Sequence, residues 1–369
     1  MNRSLNSLPA SVRVFAAMLS LGVSGSVLAA EPEALLMAAK RSPSPPWKAG
    51  DERGMANTLG PITTQRCAWH MAQAGARVYE ASFVRSNTMP MSPFASHAGT
   101  QYKATSGVPF SAHAFNSEVM QAGAEPAQQG TQIDALGHFA YISKPWDPKD
   151  PFPADEARYY GGFTQKDLKP TPDSPLLKMG IDKIPPLIST AVLLDARTFV
   201  GKGKAMTDGQ LVTAQHIEDM LKAQGLTQRG ILPGDMVWVY TGWSERWKDP
   251  YDDNGYYSMA PGLSVDAANW LGAKHVVAVG LDTPFIDSVP GGMLQGKAPP
   301  APGTLPGMPF SIHHTLITQF GIHHLENLNL GAMAQDKVWT SCAMVLPSRD
   351  LGAAGAAIRP VAIGLPDQH

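Results

Sequence analysis

The sequence predicts a single mixed α/β domain, and three observations carry that reading. Strand-like segments recur along the chain, but helical patterns separate them only in the second half, so a regular doubly wound sheet is not expected. Thirty-five glycines and thirty-two prolines demand many turns and ordered loops and exclude a helical bundle. Two cysteines, Cys67 and Cys342, are too few for a disulfide scaffold, so a conventional hydrophobic core must carry the fold. In an oxidising compartment the two can pair; the sequence leaves open whether their backbones approach.

The chain opens with a segment that reads as a secretory signal peptide over residues 1–30. Arg3 and Arg13 precede an apolar run from Val14 to Ala30 that ends in small residues, placing cleavage near Ala29 or Ala30. Gly22, Ser24, Gly25 and Ser26 leave this run weakly apolar for a permanent span, and no later stretch is long and apolar enough to cross a bilayer. Residues 31–369 are therefore expected to be one exported domain, periplasmic or secreted and free of the membrane after cleavage. Acids and bases nearly cancel, with a formal net charge of −2, and no Lys/Arg cluster occurs. Neither nucleic acid nor an anionic membrane surface is an expected partner.

Residues 31–60 form an irregular, proline-rich lead-in. Strands are expected at ARVYEASF, near GTQID, at TAVLLDA, at DMVWVYTG, at HVVAVGLD and at RPVAIGLP. Helices are expected over TAQHIEDMLKAQG, stopped by Gly225, over SVDAANWLGA, capped by Ser264, and over SIHHTLITQFG, ending at Gly321. Long Pro/Gly loops fill 142–185 and 285–309. The second is too long for a plain connector and suggests a pocket cover.

Two constellations carry chemistry. The first is QQGTQIDALGHF, Gln128 to Phe139. Read as a strand, it points Gln128, Gln132 and Asp134 to one face, with Gly130 between them. Core strands favour Val, Ile and aromatics, so this run is either a wet edge or a face that holds something. The second is SIHHTLITQFGIHHLENLNL. His313 and His314 open the helix, and the strand after it puts His324 and Glu326 on one face and His323 on the other. Imidazole with carboxylate is the usual donor set for zinc or manganese, and it also suits acid–base catalysis.

Together the two constellations resemble the cyclase family of metal-dependent hydrolases, which includes bacterial kynurenine formamidase and isatin hydrolase. GTQIDALGH resembles its signature, His-x-Gly-Thr-His-x-Asp-x-x-x-His. WKAGDERGMAN, ILPGDMVWVYTGWSERW, YYSMAPGLSVDAANWL with VVAVGLDT, and HTLITQFGIHHLENLNL resemble further family segments in the family's order. The resemblance implies a barrel-like mixed β-sheet with flanking helices, a homodimer or homotetramer, and a bound divalent metal, Mn²⁺ or Zn²⁺, with the number of ions left open. It implies Asp134, His314 and Glu326 as ligands, since His314 and Glu326 stand twelve residues apart as in the family, and His138 as the acid–base residue, with Glu326 also catalytic.

Gln128 and Gln132 stand where the signature has its first two histidines. An amide oxygen can ligate, but it is neutral and weaker than imidazole, so these two are expected as weak ligands or as donors to water and substrate. His324 is expected against the substrate, with a ligand role as the alternative. Asp282, at the end of VVAVGL, either binds substrate or caps a turn. Trp243 either lines a pocket for an aromatic substrate or belongs to the core.

The expected function is metal-assisted hydrolysis of an amide C–N bond, in a formamide or cyclic amide of a small substrate. The alternatives are an exported binding protein on the same fold whose catalysis is lost, and a metal-dependent lyase, dehydratase or lactonase.

Overall fold

The computed structural model describes residues 31–94, 98–102, 118–122 and 128–367. Residues 1–30, read above as a signal peptide, lie outside the described residues. In chain order the strands are β1 (Arg77–Glu80), β2 (Ala98–Tyr102), β3 (Glu118–Ala122), β4 (Gln132–Asp134), β5 (Leu187–Asp195), β6 (Leu211–Val212) and β7 (Met236–Tyr240). They continue with β8 (Gly262–Leu263), β9 (Ala278–Leu281), β10 (His323–Glu326), β11 (Thr340–Val345), β12 (Gly355–Ala357) and β13 (Val361–Gly364). Nine of them form one sheet in the order β1-β13-β11-β5-β7-β9-β10-β4-β12, curled into a half-barrel with helices on its flanks. The central run β5-β7-β9-β10 is parallel, and every other pairing in the sheet is antiparallel. The mixed, barrel-like α/β expectation holds.

Both faces of the central strands are covered, which is why they read as unbroken apolar runs. Leu193 and Trp238 point into one core with Ile133 and Leu325. Val192, Leu194, Val237 and Val239 point into the other, beneath Ile217, Leu271 and Leu316 from the helices. The helix Ala214–Ala223 starts at Thr213, whose Oγ1 accepts the His216 N–H at 3.2 Å, and Gly225 follows its end at φ 72°. Ser264 caps Val265–Ala273 through the Ala267 N–H.

The third expected helix is only partly α. Ser311–His313 makes one α-turn, and His314–Phe320 widens into a π-helix that stops at Gly321, φ 67°. Several elements carried no clear sequence signal, two of them beside the core. Pro61–Met71 is a polar-looking helix begun by proline, and β11 is built from TSCAMV, whose small residues give weak alternation.

Cys67, on the helix Pro61–Met71, and Cys342, on β11, form a disulfide across a sequence separation of 275. It fastens that helix to the sheet, and closing a loop of such length is worth about 2–5 kcal/mol. Among the described residues, no helix is long and apolar enough to cross a membrane.

Candidate metal centre

The site forms where β10 lies antiparallel to β4. The register pairs His324 with Asp134 and Glu326 with Gln132. Residues directly opposite in a sheet share a face, and so do residues two apart along a strand. Four polar side chains therefore project together from one patch of sheet. The helix start at Ser311–His313 brings a fifth, His313, over the same patch.

Among the described residues, Asp134, His313, His324 and Glu326 are all buried, and each offers one ligand atom, these atoms lying within 4.8 Å of one another. Two ligands on opposite sides of one ion, with bonds of about 2.0–2.6 Å, stand about 4–5 Å apart, so the group matches a single-ion site.

His313 is held as metal-ligating histidines usually are. Its Nδ1 meets Asp287 Oδ2 at 2.6 Å, and Asp287 also accepts the Ile312 and His313 backbone N–H groups. That leaves Nε2 facing Glu326 Oε1 at 3.5 Å and Asp134 Oδ2 at 3.7 Å. Burial opposes charge on His313, but the hydrogen bond and charge of Asp287, then Glu326 and Asp134, outweigh it and raise its pKa to about 9. The Asp134 and Glu326 oxygens thus converge on one imidazole nitrogen. Burial, aided by Asp134, raises the Glu326 pKa well above the carboxylate range, while burial and the neighbouring imidazoles hold His324 neutral, the form that ligates metal.

The residues fit a divalent ion for a further reason. Asp134 Oδ2, Gln132 Oε1 and both ring nitrogens of His324 are buried with no hydrogen-bond partner. Leaving such groups unsatisfied costs roughly 1–3 kcal/mol each. A shared cation would satisfy several at once, and two imidazoles with two carboxylates are a donor set for zinc or manganese.

Above the centre is a cavity of about 260 Å³. Phe94, Phe139, Tyr257, Phe285 and Phe310 wall it, and Gln128, Gln132, His138, His313 and Glu326 supply its polar floor. Of the 285–309 loop, only its first residue, Phe285, lines the cavity, so the loop as a whole does not cover it.

The sequence-based candidates fall into three groups. Asp134, Glu326 and His324 are in the cluster, the last as a ligand candidate and not as a substrate contact. Gln132 borders the cluster, donating to Glu326 Oε2 at 3.0 Å, and Gln128 and His138 border the cavity. His314, Trp243 and Asp282 are elsewhere. Successive residues on a helix point about 100° apart, so only one of His313 and His314 can face the carboxylates. His313 does; His314 turns to Gln319 Nε2 at 3.0 Å and the Tyr141 ring at 5.2 Å. Spacing from Glu326 does not distinguish the two; the contacts of Asp287 with the His313 ring and backbone do.

Trp243 is fully buried in a separate aromatic cluster, its Nε1–H donating to the Tyr256 carbonyl at 3.2 Å. Asp282 fixes the turn after β7, accepting from Thr241 N at 2.8 Å and Oγ1 at 2.6 Å, and from Ser244 Oγ at 2.9 Å. Neither lines the cavity. Gln128 also departs from the expected strand, because Gly130 at φ 69° turns the chain before β4 begins.

A family model described as putative cyclase matches residues 61–288. Among solved structures, the fold is similar to a novel cyclase at 21% identity and a TM-score of 0.68, covering 86% of this chain and 95% of that one. It is also similar to an isatin hydrolase bound to the product analogue thioisatinate, at 18% identity and TM-score 0.51 over 79% of this chain and 93% of that one. Isatin hydrolase A from Labrenzia aggregata, bound to benzyl benzoate, gives 17% identity and TM-score 0.51 over 81% and 98%. No curated protein matches.

Proposed function

The chain belongs to the putative cyclase family, and from that membership we propose that it is a metal-dependent hydrolase cleaving an amide C–N bond in a small, aromatic substrate. The observation that carries this reading is the buried quartet Asp134, His313, His324 and Glu326, with its orphaned atoms, at the foot of an aromatic-walled cavity. A divalent ion, zinc or manganese, held by these four would supply a Lewis acid for the amide carbonyl and a water made acidic enough to deprotonate near neutral pH.

The chain's own residues do the rest. The phenylalanines and Tyr257 pack the substrate ring and exclude bulk water, which strengthens every polar contact inside. Gln132, its Oε1 unpartnered and its amide nitrogen on Glu326, orients water or the substrate amide. As the water oxygen bonds to the carbonyl carbon and the C–N bond breaks, one proton passes from water to the departing nitrogen. Glu326, at the floor of the cavity, is placed to carry it, and His138 borders the same cavity.

Metal analysis of the purified protein, with turnover assays on formamides, cyclic imides and lactones, tests the reading. About one bound ion per chain and amide cleavage are expected. Bound metal with turnover of lactones alone would replace the amide by an ester, and a protein without metal or turnover would be a binding protein on this fold.

Export and self-association belong to the same proposal. The first thirty residues support a mature chain starting near Ala30 or Glu31 in the periplasm or outside the cell, and the family resemblance supports a homodimer or homotetramer. Mass spectrometry of the native protein and light scattering check the two. An intact Met1 in the soluble fraction, or a monomer at working concentration, would remove the respective claim.

A further inference from the structure

Gln128 lies between the metal centre and the cavity, and its amide nitrogen touches both. Nε2 is 3.2 Å from Asp134 Oδ1 and 2.8 Å from His138 Nδ1. A carboxylate has only acceptor sites, so the amide must meet Asp134 with its NH₂ group; the flipped amide would set oxygen against oxygen. One N–H then goes to Asp134 and the other to His138. The imidazole must receive it on a bare Nδ1, which in the neutral ring puts the proton on Nε2.

The chain is shaped to keep Gln128 there. A Cβ on Gly355 of β12 would lie 2.8 Å from Gln128 Cγ and 3.1 Å from its Nε2. The same Cβ would also lie 2.8 Å from the Ile133 backbone oxygen of β4, so the missing side chain serves the close approach of the two strands as well as the seat of the glutamine. Meanwhile the half-buried His138 ring lines the cavity, and its Nε2 has no hydrogen-bond partner among the described residues.

We infer that Gln128 is a positioning residue that locks His138 as its Nε2–H tautomer, so that His138 presents a hydrogen-bond donor, and no basic lone pair, to the substrate. Within the hydrolase reading, on which this last step rests, His138 donates to the carbonyl oxygen as negative charge develops on it and keeps its own proton. The proton leaving water goes to Glu326 and from there to the departing nitrogen. His138 therefore differs from the acid–base shuttle that the family resemblance implies.

Two-bond ¹H–¹⁵N spectra of protein labelled on histidine, recorded with and without zinc, decide the point. The His138 signals are assigned by their loss in His138→Ala. Expected in the wild type is a protonated Nε2 and a bare Nδ1. In Gln128→Ala the two tautomers should mix. With a turned-over substrate, Gln128→Ala should lower kcat roughly 10–100-fold with KM little changed. A wild-type His138 protonated on Nδ1, or a spectrum unmoved in Gln128→Ala, would overturn the assignment. If the spectra agree but no substrate is hydrolysed, the positioning role stands and the hydrolase reading fails.

Discussion

His313→Ala is expected to empty the metal centre, and His314→Ala to leave it filled. His313 is the imidazole whose Nε2 faces Asp134 and Glu326 while Asp287 steadies its other nitrogen. Outer partners of metal ligands are typically worth about 10–100-fold in metal affinity. Loss of the ligand itself should exceed that range and take turnover with it, and Asp287→Asn should fall within it. His314 points toward Gln319 and Tyr141, so its removal should change metal content little and turnover by no more than a few fold. Metal stoichiometry by elemental analysis on the three variants, each checked for a cooperative melt, separates the cases. A His314→Ala protein that loses its ion while His313→Ala retains it would restore the assignment read from spacing.

That pair of histidines marks where sequence reading stops. Strand alternation correctly put His324 and Glu326 on one face of β10 and His323 on the other, because the period of two is local. The pairing of β10 with β4 is not local. It joins His324 to Asp134 across a separation of 190 residues, and only this register makes His324 a ligand candidate. On the helix, the choice between His313 and His314 depends on rotation about its axis, which Asp287, from a distant loop, fixes by accepting from both Ile312 and His313 backbone groups. Gln128 failed for a third reason. A strand drawn from 128 to 134 assigns its face by counting, but Gly130 takes a left-handed φ of 69° and breaks the count. The glutamine reaches the site all the same, by way of a turn, and spends its amide on His138 and Asp134.

Glu31→Gln is expected to destabilise the fold by about 3–5 kcal/mol at neutral pH, although the residue is far from the metal centre in sequence and function. Glu31 is 5% exposed and accepts from Arg66 Nε at 2.7 Å and Arg229 Nε at 2.6 Å. Asp235, fully buried, takes Arg66 Nη2 at 2.8 Å and Arg229 Nη1 at 2.7 Å. Two cations and two anions therefore balance in a dry environment. A buried network of this kind need not outperform an apolar cluster of the same volume, but removing one partner strands an uncompensated charge. The network ties the chain's lead-in and the helix Pro61–Met71 to the end of the sheet where β7 begins.

The pH dependence gives this prediction its sharpest check. Burial opposes the charge on Glu31, yet Arg229, then His70 and Arg66, outweigh it and hold its carboxyl well below the usual range. A carboxyl depressed on folding contributes stability that is fully present above its unfolded value of about 4.5 and is lost as pH falls through that value toward the folded one. Denaturant unfolding of wild type and Glu31→Gln should therefore show the full gap at pH 7 and a shrinking gap on acidification. A gap that stays below about 1 kcal/mol at pH 7, or one that widens in acid, would show that the network does not hold the lead-in to the sheet.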